Sequence, residues 1–311
     1  DTATPAEPVN TALTRRPFVK PTPIELCEDC HPDEVDGFAA TGMGRALYPP
    51  QGAKVIEDFD PQKATVKHTK TGVTYRAYID PEGRWWQEES IEGSDYKLAV
   101  EVKYIIGSGN HTRSYIAERE AGELTEMPLT WYVKRGIWDM SPGYEDAGHF
   151  RFDRPINPRC IFCHNGLSEQ VEHSVSGYKD FAHGIGCDRC HGDGRAHAAA
   201  RQAGKMPEKG QDVLDPGKLD AKGQLRLCQQ CHLTGLARAL LEGERWDVYD
   251  PRTPLEDYMA IYVYERDGGP DFGISSHGDR LALSACATKS GGLPCTKCHD
   301  PHKADDGRSG R

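Results

Sequence analysis

The chain has 311 residues, 37% of them hydrophobic, with 33 glycines and 21 prolines, and a mean hydropathy of −0.67. That length admits one large domain or two ordinary ones, yet the composition is a poor recipe for an aliphatic core, so something besides side chains is expected to fill the interior. The formal net charge of −10 argues against a nucleic-acid partner, because phosphate binding requires clustered Lys and Arg, and no apolar run approaches the roughly 18 residues of a membrane span.

In chain order, residues 1–26 are rich in Pro and Thr and read as an extended arm. The chain opens at Asp1 with neither a basic nor an apolar leader, which fits either a cytosolic protein or one whose signal peptide has been removed. A Cys-x-x-Cys-His unit at Cys27 heads a segment over 27–62. From 63 to 144 the texture changes. The stretches "ATVKHTKTGVTYRAYID", "GRWWQEESIEG", "YKLAVEVKYIIGSG" and "LTWYVKRGIWDMSPGY" alternate β-branched or aromatic residues with polar ones, the pattern of antiparallel strands. Trp85, Trp86, Trp131 and Trp138 are read as core aromatics of this β-rich insert and not as electron relays. Residues 145–302 hold four further Cys-x-x-Cys-His units with short helical stretches such as 224–241, and 303–311 form a polar tail.

Ten of the eleven cysteines fall into five Cys-x-x-Cys pairs, and His follows every pair: CEDCH, CIFCH, CDRCH, CQQCH and CTKCH. A zinc site pairs two such units around one tetrahedral ion and has no need of the adjacent His. A thioredoxin-like dithiol occurs once, at a helix start after a strand. With 13 histidines in the chain, chance does not place one after all five pairs. Haem c accounts for each element: two thioethers to the haem vinyls and a proximal imidazole under the iron. The attachment pairs are then Cys27 and Cys30, Cys160 and Cys163, Cys187 and Cys190, Cys228 and Cys231, and Cys295 and Cys298. The proximal ligands are His31, His164, His191, His232 and His299. Five covalently bound haem c groups are expected. Haem c is attached outside the cytoplasm, so a periplasmic or extracellular protein is expected, its signal peptide removed. The macrocycles supply the apolar interior that the side chains lack. The units are unequally spaced, which speaks against a solenoid. Cys286 is left over, and a buried structural thiol is the reading preferred over an intermolecular partner or an accessory haem contact.

Distal iron ligands are sought among the remaining histidines. "CHGDGRAH" and "CHDPH" place His197 and His302 just beyond a proximal imidazole, too close in sequence to cross their own haem, so each is assigned to a neighbouring one. His111 and His277 sit in Gly/Ser/Asn-rich turns that let a backbone approach a haem closely. His68 and His183 are reserves, and His149 and His173 read as surface residues.

"CEDCHPDEVDGFAATGMGRAL", "CIFCHNG", "GIGCDRCHGDGR" and "CQQCHL" resemble, in order, the haem segments of the tetrahaem cytochrome family that accepts electrons from hydroxylamine oxidoreductase. The β-rich insert and "SACATKSGGLPCTKCHDPH" are similar to the multihaem domains that precede tetratricopeptide repeats in some bacterial proteins. These resemblances imply stacked and perpendicular haem pairs and an electron-transfer role. The tetrahaem family carries a distal histidine where this chain has Met43, so Met43 is either an iron ligand or a thioether packed on a porphyrin. That family also keeps one haem five-coordinate, which points to the haem of His164 as the place for a vacant position.

The expected architecture is a mainly α and irregular multihaem cytochrome scaffold with a β-sheet insert between motifs 1 and 2. The expected function is multi-centre electron transfer with no bond chemistry on a substrate. The partners are redox proteins with basic docking patches, with no nucleic acid and no membrane span. One alternative is a subunit of a head-to-tail extracellular filament, with motifs near both chain ends and the Pro-rich arm as joint. A second is a haem enzyme acting on a small nitrogen compound at one five-coordinate haem.

Overall fold

The computed structural model describes residues 16–233, 235, 237–262 and 277–304. Residues 1–15 of the arm and 305–311 of the tail lie outside that set.

Motif 1 opens the described chain on α1 (Glu25–Glu28), followed by α2 (Pro32–Ala39). The strands follow: β1 (Leu47–Tyr48), β2 (Thr65–Lys67), β3 (Val73–Ile79), β4 (Trp85–Ile91), β5 (Lys97–Glu101), β6 (Tyr104–Ile106), β7 (Thr112–Glu118), β8 (Leu124–Glu126), β9 (Leu129–Tyr132), β10 (Ile137–Met140) and β11 (Arg154–Pro155). All pairings are antiparallel. One sheet runs β2-β3-β4-β5, and a second runs β1-β6-β7-β8-β11 with β9 and β10 joined to it through β7. Two of its strands, β1 and β11, lie outside the span 63–144. After them come α3 (Pro158–His164), β12 (Glu169–Gln170), β13 (Tyr178–Lys179), α4 (Asp188–His191), α5 (Arg195–Gln202), α6 (Ala221–His232), β14 (Ala237–Leu240), β15 (Met259–Tyr262), α7 (His277–Leu283) and α8 (Ala285–Ser290). Motif 5 lies on a short 3-10 turn, Cys295–Lys297.

The strand pattern arises from period-two alternation. Along β4, Trp85, Gln87 and Glu89 are buried while the residues between them are not. The two sheets face each other across one core, with Tyr75, Ala77 and Trp85 on one side and Tyr115, Leu129 and Trp131 on the other. Gln87 joins them: its Nε2 donates to the Leu129 carbonyl at 3.0 Å and its Oε1 accepts from Leu129 N–H at 2.9 Å. Trp85, Trp131 and Trp138 are buried. Trp86, expected beside them, points to the other face of β4, where it stacks on Tyr78 and donates to Asp80 at 2.9 Å.

Nine of the fifteen strands among the described residues, β2–β10, lie within 63–144, while all eight α-helices lie outside it, joined there by six short strands; β-branched and aromatic residues between tight turns favour pairing over helix. One expectation is corrected. The stretch 224–241 is not one helix. It is helical to His232 and then returns as β14, paired antiparallel with β15, with Gly235 at φ +59° allowing the reversal. The described part of the arm packs on its own chain: Thr22 N–H donates to Asp188 Oδ2 at 2.6 Å, Arg195 donates to Pro21 O at 2.9 Å, and Arg16 pairs with Glu244 at 3.4 Å.

Candidate haem centres

All five Cys-x-x-Cys-His segments fold as a helical turn. His31, His191 and His299 donate their backbone N–H to the carbonyl of the cysteine four residues earlier, at 2.8, 2.9 and 3.0 Å. The other two motifs lie inside α3 and α6. Residues i, i+3 and i+4 share a face of such a turn, so every copy presents two thiols and one imidazole together. Local sequence explains the turns. Asn157 caps α3 by accepting from Arg159 N–H at 2.9 Å, with Pro158 at the first helical position, where a missing N–H costs nothing. Asp220 caps α6 by accepting from Gly223 N–H at 2.7 Å.

The fold brings thiols of different motifs near one another: Cys27 and Cys187, Cys163 and Cys231, and Cys228 and Cys295. The nearby Cys231 thiol, helped by the Arg238 and Arg189 cations, pulls the Cys163 thiol down, while burial pushes Cys187 up. Gln230 in motif 4 donates to Arg189 O of motif 3 at 3.0 Å, and Thr296 of motif 5 donates to Gln224 at 2.7 Å. Motif 4 therefore touches motifs 2, 3 and 5, and motif 1 touches motif 3.

The remaining histidines divide. The His191 and His302 rings lie nearly parallel, with centroids 6.0 Å apart. His197 holds Asp212 Oδ1 at 2.6 Å through Nδ1, the kind of outer contact that orients a ligating imidazole. His277 approaches His232, Nδ1 to Nδ1 at 3.3 Å, and burial, then the Arg280, His299 and His111 charges, push its pKa down. His111 is exposed in the turn between β6 and β7. Met43 is half-buried; its carbonyl accepts from Ile185 N–H at 3.1 Å, which seats it against the loop leading into motif 3. His183 is exposed, and its ring lies 6.0 Å from that of Tyr104.

His68 is not available as a reserve ligand. It is 2% exposed, with Nδ1 on Thr71 at 2.9 Å and Nε2 on Tyr144 O at 3.0 Å. His149, read as a surface residue, packs half-buried against His68 and Tyr144. His173 is exposed, as expected. Cys286, read as buried, is exposed on α8.

Three observations fit a large apolar, anionic group held at these turns. Nineteen of the twenty-seven buried hydrophobic side chains among the described residues fall between Ala46 and Ile156, leaving eight for the segment with four motifs. A cavity of about 300 Å³ lies beside α6, lined by Leu225, Leu233, Leu255, Met259 and Ile261 among others. Apart from that cavity, buried polar atoms in and near the motifs lack partners: Nδ1 of His164, Nε and Nη1 of Arg189, and Nε of Arg238. Sequence reasoning missed Arg189 and Arg238, because the variable positions of a motif and an isolated Arg carry no signal until the fold buries them. Among the described residues, no three His, Cys, Asp or Glu side chains converge on a point that would hold a bare metal ion.

Residues 144–192, which contain motifs 2 and 3, match the family model described as cytochrome c554 and c-prime. The chain resembles a multihaem cytochrome c. It is 30% identical over 118 residues to the cytochrome c-554 of Nitrosomonas europaea, covering 35% of this chain and 47% of that one; the chain thus spans about half the length of this curated relative. Two solved structures are similar at lower level. The outer cell wall cytochrome OcwA gives a TM-score of 0.48 at 18% identity, over 78% of this chain and 45% of that one. The undecahaem cytochrome from the S-layer of Carboxydothermus ferrireducens gives 0.42 at 16% identity, over 93% and 41%. Covalent haem c is the cofactor that the cytochrome c554 similarity implies.

Proposed function

We infer that the chain is a five-haem c-type cytochrome that transfers electrons outside the cytoplasm. The observation that carries this reading is the shared helical turn of all five motifs, which sets two thiols and one imidazole on a common face each time. Cys27 and Cys30, Cys160 and Cys163, Cys187 and Cys190, Cys228 and Cys231, and Cys295 and Cys298 would hold the porphyrins. His31, His164, His191, His232 and His299 would sit under the irons. When bound, each haem supplies one ferric/ferrous couple.

The chain's own residues bring the couples close together. Neighbouring thiols of motifs 1 and 3, 2 and 4, and 4 and 5, with the Gln230 contact between motifs 3 and 4, set attachment points side by side, so electrons have a continuous route through motif 4. Arg189 and Arg238 offer buried donors suited to propionates. Asp212 orients His197, which we keep as a distal ligand. The β-rich region between motifs 1 and 2 carries its own core and acts as an insert that insulates or docks.

The net charge of −10 suits basic partner surfaces. A diffusible carrier is favoured over a head-to-tail filament, because the described part of the arm is held by its own subunit and helix α2 after motif 1 packs on His302 after motif 5. Intact-mass measurement of protein matured in a haem c-competent periplasm tests the reading. Five haem masses above the polypeptide support it; fewer overturn the count. Electron microscopy of the same sample showing regular filaments would overturn the carrier.

A further inference from the structure

We propose that His302 is the distal ligand of the iron held by His191, an assignment that rests on the five-haem reading above. It makes the segment after motif 5 the lid of motif 3.

The two imidazole rings stand with centroids 6.0 Å apart and planes 21° from parallel. Imidazoles bound through Nε2 to opposite faces of one iron stand about 6 Å apart, given metal–nitrogen bonds of about 2 Å and the half-width of each ring. The other nitrogen of His191 agrees: its Nδ1 lies 2.9 Å from the Leu214 carbonyl. An acceptor on that side fixes the N–H at Nδ1 and leaves the Nε2 lone pair for a metal. His232 and His277 differ: they meet Nδ1 to Nδ1 at 3.3 Å with centroids 5.0 Å apart, closer than two ligands across one iron stand.

Backbone contacts seat His302 independently of its ring. Its N–H donates to Asp300 Oδ1 at 3.0 Å, closing a tight turn. Its carbonyl lies so close to Gly37 of α2 that a Cβ at position 37 would overlap it. Gly37 is therefore a positioning residue, needed because α2 and the segment after motif 5 touch backbone to backbone. Segments of motifs 1, 3 and 5 meet at this point. The proximal imidazole comes from one, the distal imidazole from another, and the third sets the approach.

The test uses the holoprotein and its His302→Ala, His302→Met and Gly37→Ala variants, each checked by mass for its haem load. In His302→Ala, one low-spin iron is expected to become high-spin, to bind carbon monoxide when reduced, and to return to low-spin when imidazole is added. In His302→Met, all irons are expected to remain low-spin while one couple titrates at higher potential. Gly37→Ala is expected to give a partial form of the alanine phenotype. A His302→Ala protein with full haem load and wholly low-spin iron overturns the ligation and leaves the five-haem reading intact. Wild-type protein with no haem on Cys187 and Cys190 overturns both.

Discussion

Arg189 holds its guanidinium 4.6 Å over the ring of Phe162, joining motif 3 to motif 2. Its Nη2 donates to Gly166 O at 3.1 Å, while Nε and Nη1 are buried without acceptors. A buried cation in this state calls for an anion, and a haem propionate is one that the five-haem reading supplies. Arg189→Gln removes a positive charge that favours the reduced iron. One couple should shift down by tens of millivolts, the effect of a unit charge about 10 Å away at an effective dielectric of about 20. Spectroelectrochemical titration reads this, and superimposable curves at equal haem content would separate Arg189 from every iron.

The neighbouring thiols make a prediction about protein that has not received its cofactor. Expressed in an oxidising compartment without haem maturation, the chain should form Cys27–Cys187, Cys163–Cys231 and Cys228–Cys295 cross-links, since these thiols are neighbours in the fold. Cross-links within each Cys-x-x-Cys pair would contradict the arrangement. Non-reducing peptide mapping by mass spectrometry distinguishes the two.

Glu57 and Arg113 form an ion pair at 3.0 Å with side chains 0% and 4% exposed, and Tyr115 donates to the same carboxylate at 2.8 Å. Removing one partner strands the other charge, so Glu57→Gln should destabilise the β region by about 3–5 kcal/mol. Replacing both partners by well-packed apolar residues should cost far less. Thermal denaturation followed by near-ultraviolet circular dichroism of the tryptophans checks it, and equal losses in both variants would refute the argument.

Spin state separates carrier from enzyme. A carrier with every iron closed by two protein ligands should be wholly low-spin, as low-temperature electron paramagnetic resonance would show. A high-spin signal in the wild type that responds to nitric oxide would instead revive chemistry at an open haem, with that of His164 the first to examine.

Local sequence determined the chemistry of the motifs. Cys-x-x-Cys-His sets its three functional side chains on one helical face through i, i+3 and i+4 spacing, and hydrogen bonds within five residues hold it there. The β-rich texture was legible for the same reason: alternation in "GRWWQEES" is a property of neighbours, and Trp85, Gln87 and Glu89 turn inward together. The reversal at Gly235 was not legible, because β14 exists only through its pairing with β15, some twenty residues on. Nor could sequence show that Cys286 is exposed, that His68 is consumed by hydrogen bonds, or that Arg189 is buried. It marked His302 as a candidate ligand for another motif but gave no sign of which motif it meets. That choice belongs to tertiary structure, since the approach of its ring to His191 depends on α2, motif 3 and the segment after motif 5 meeting at one point. Such contacts between distant segments are fixed by packing and backbone approach, at Gly37 above all, and not by any short-range pattern.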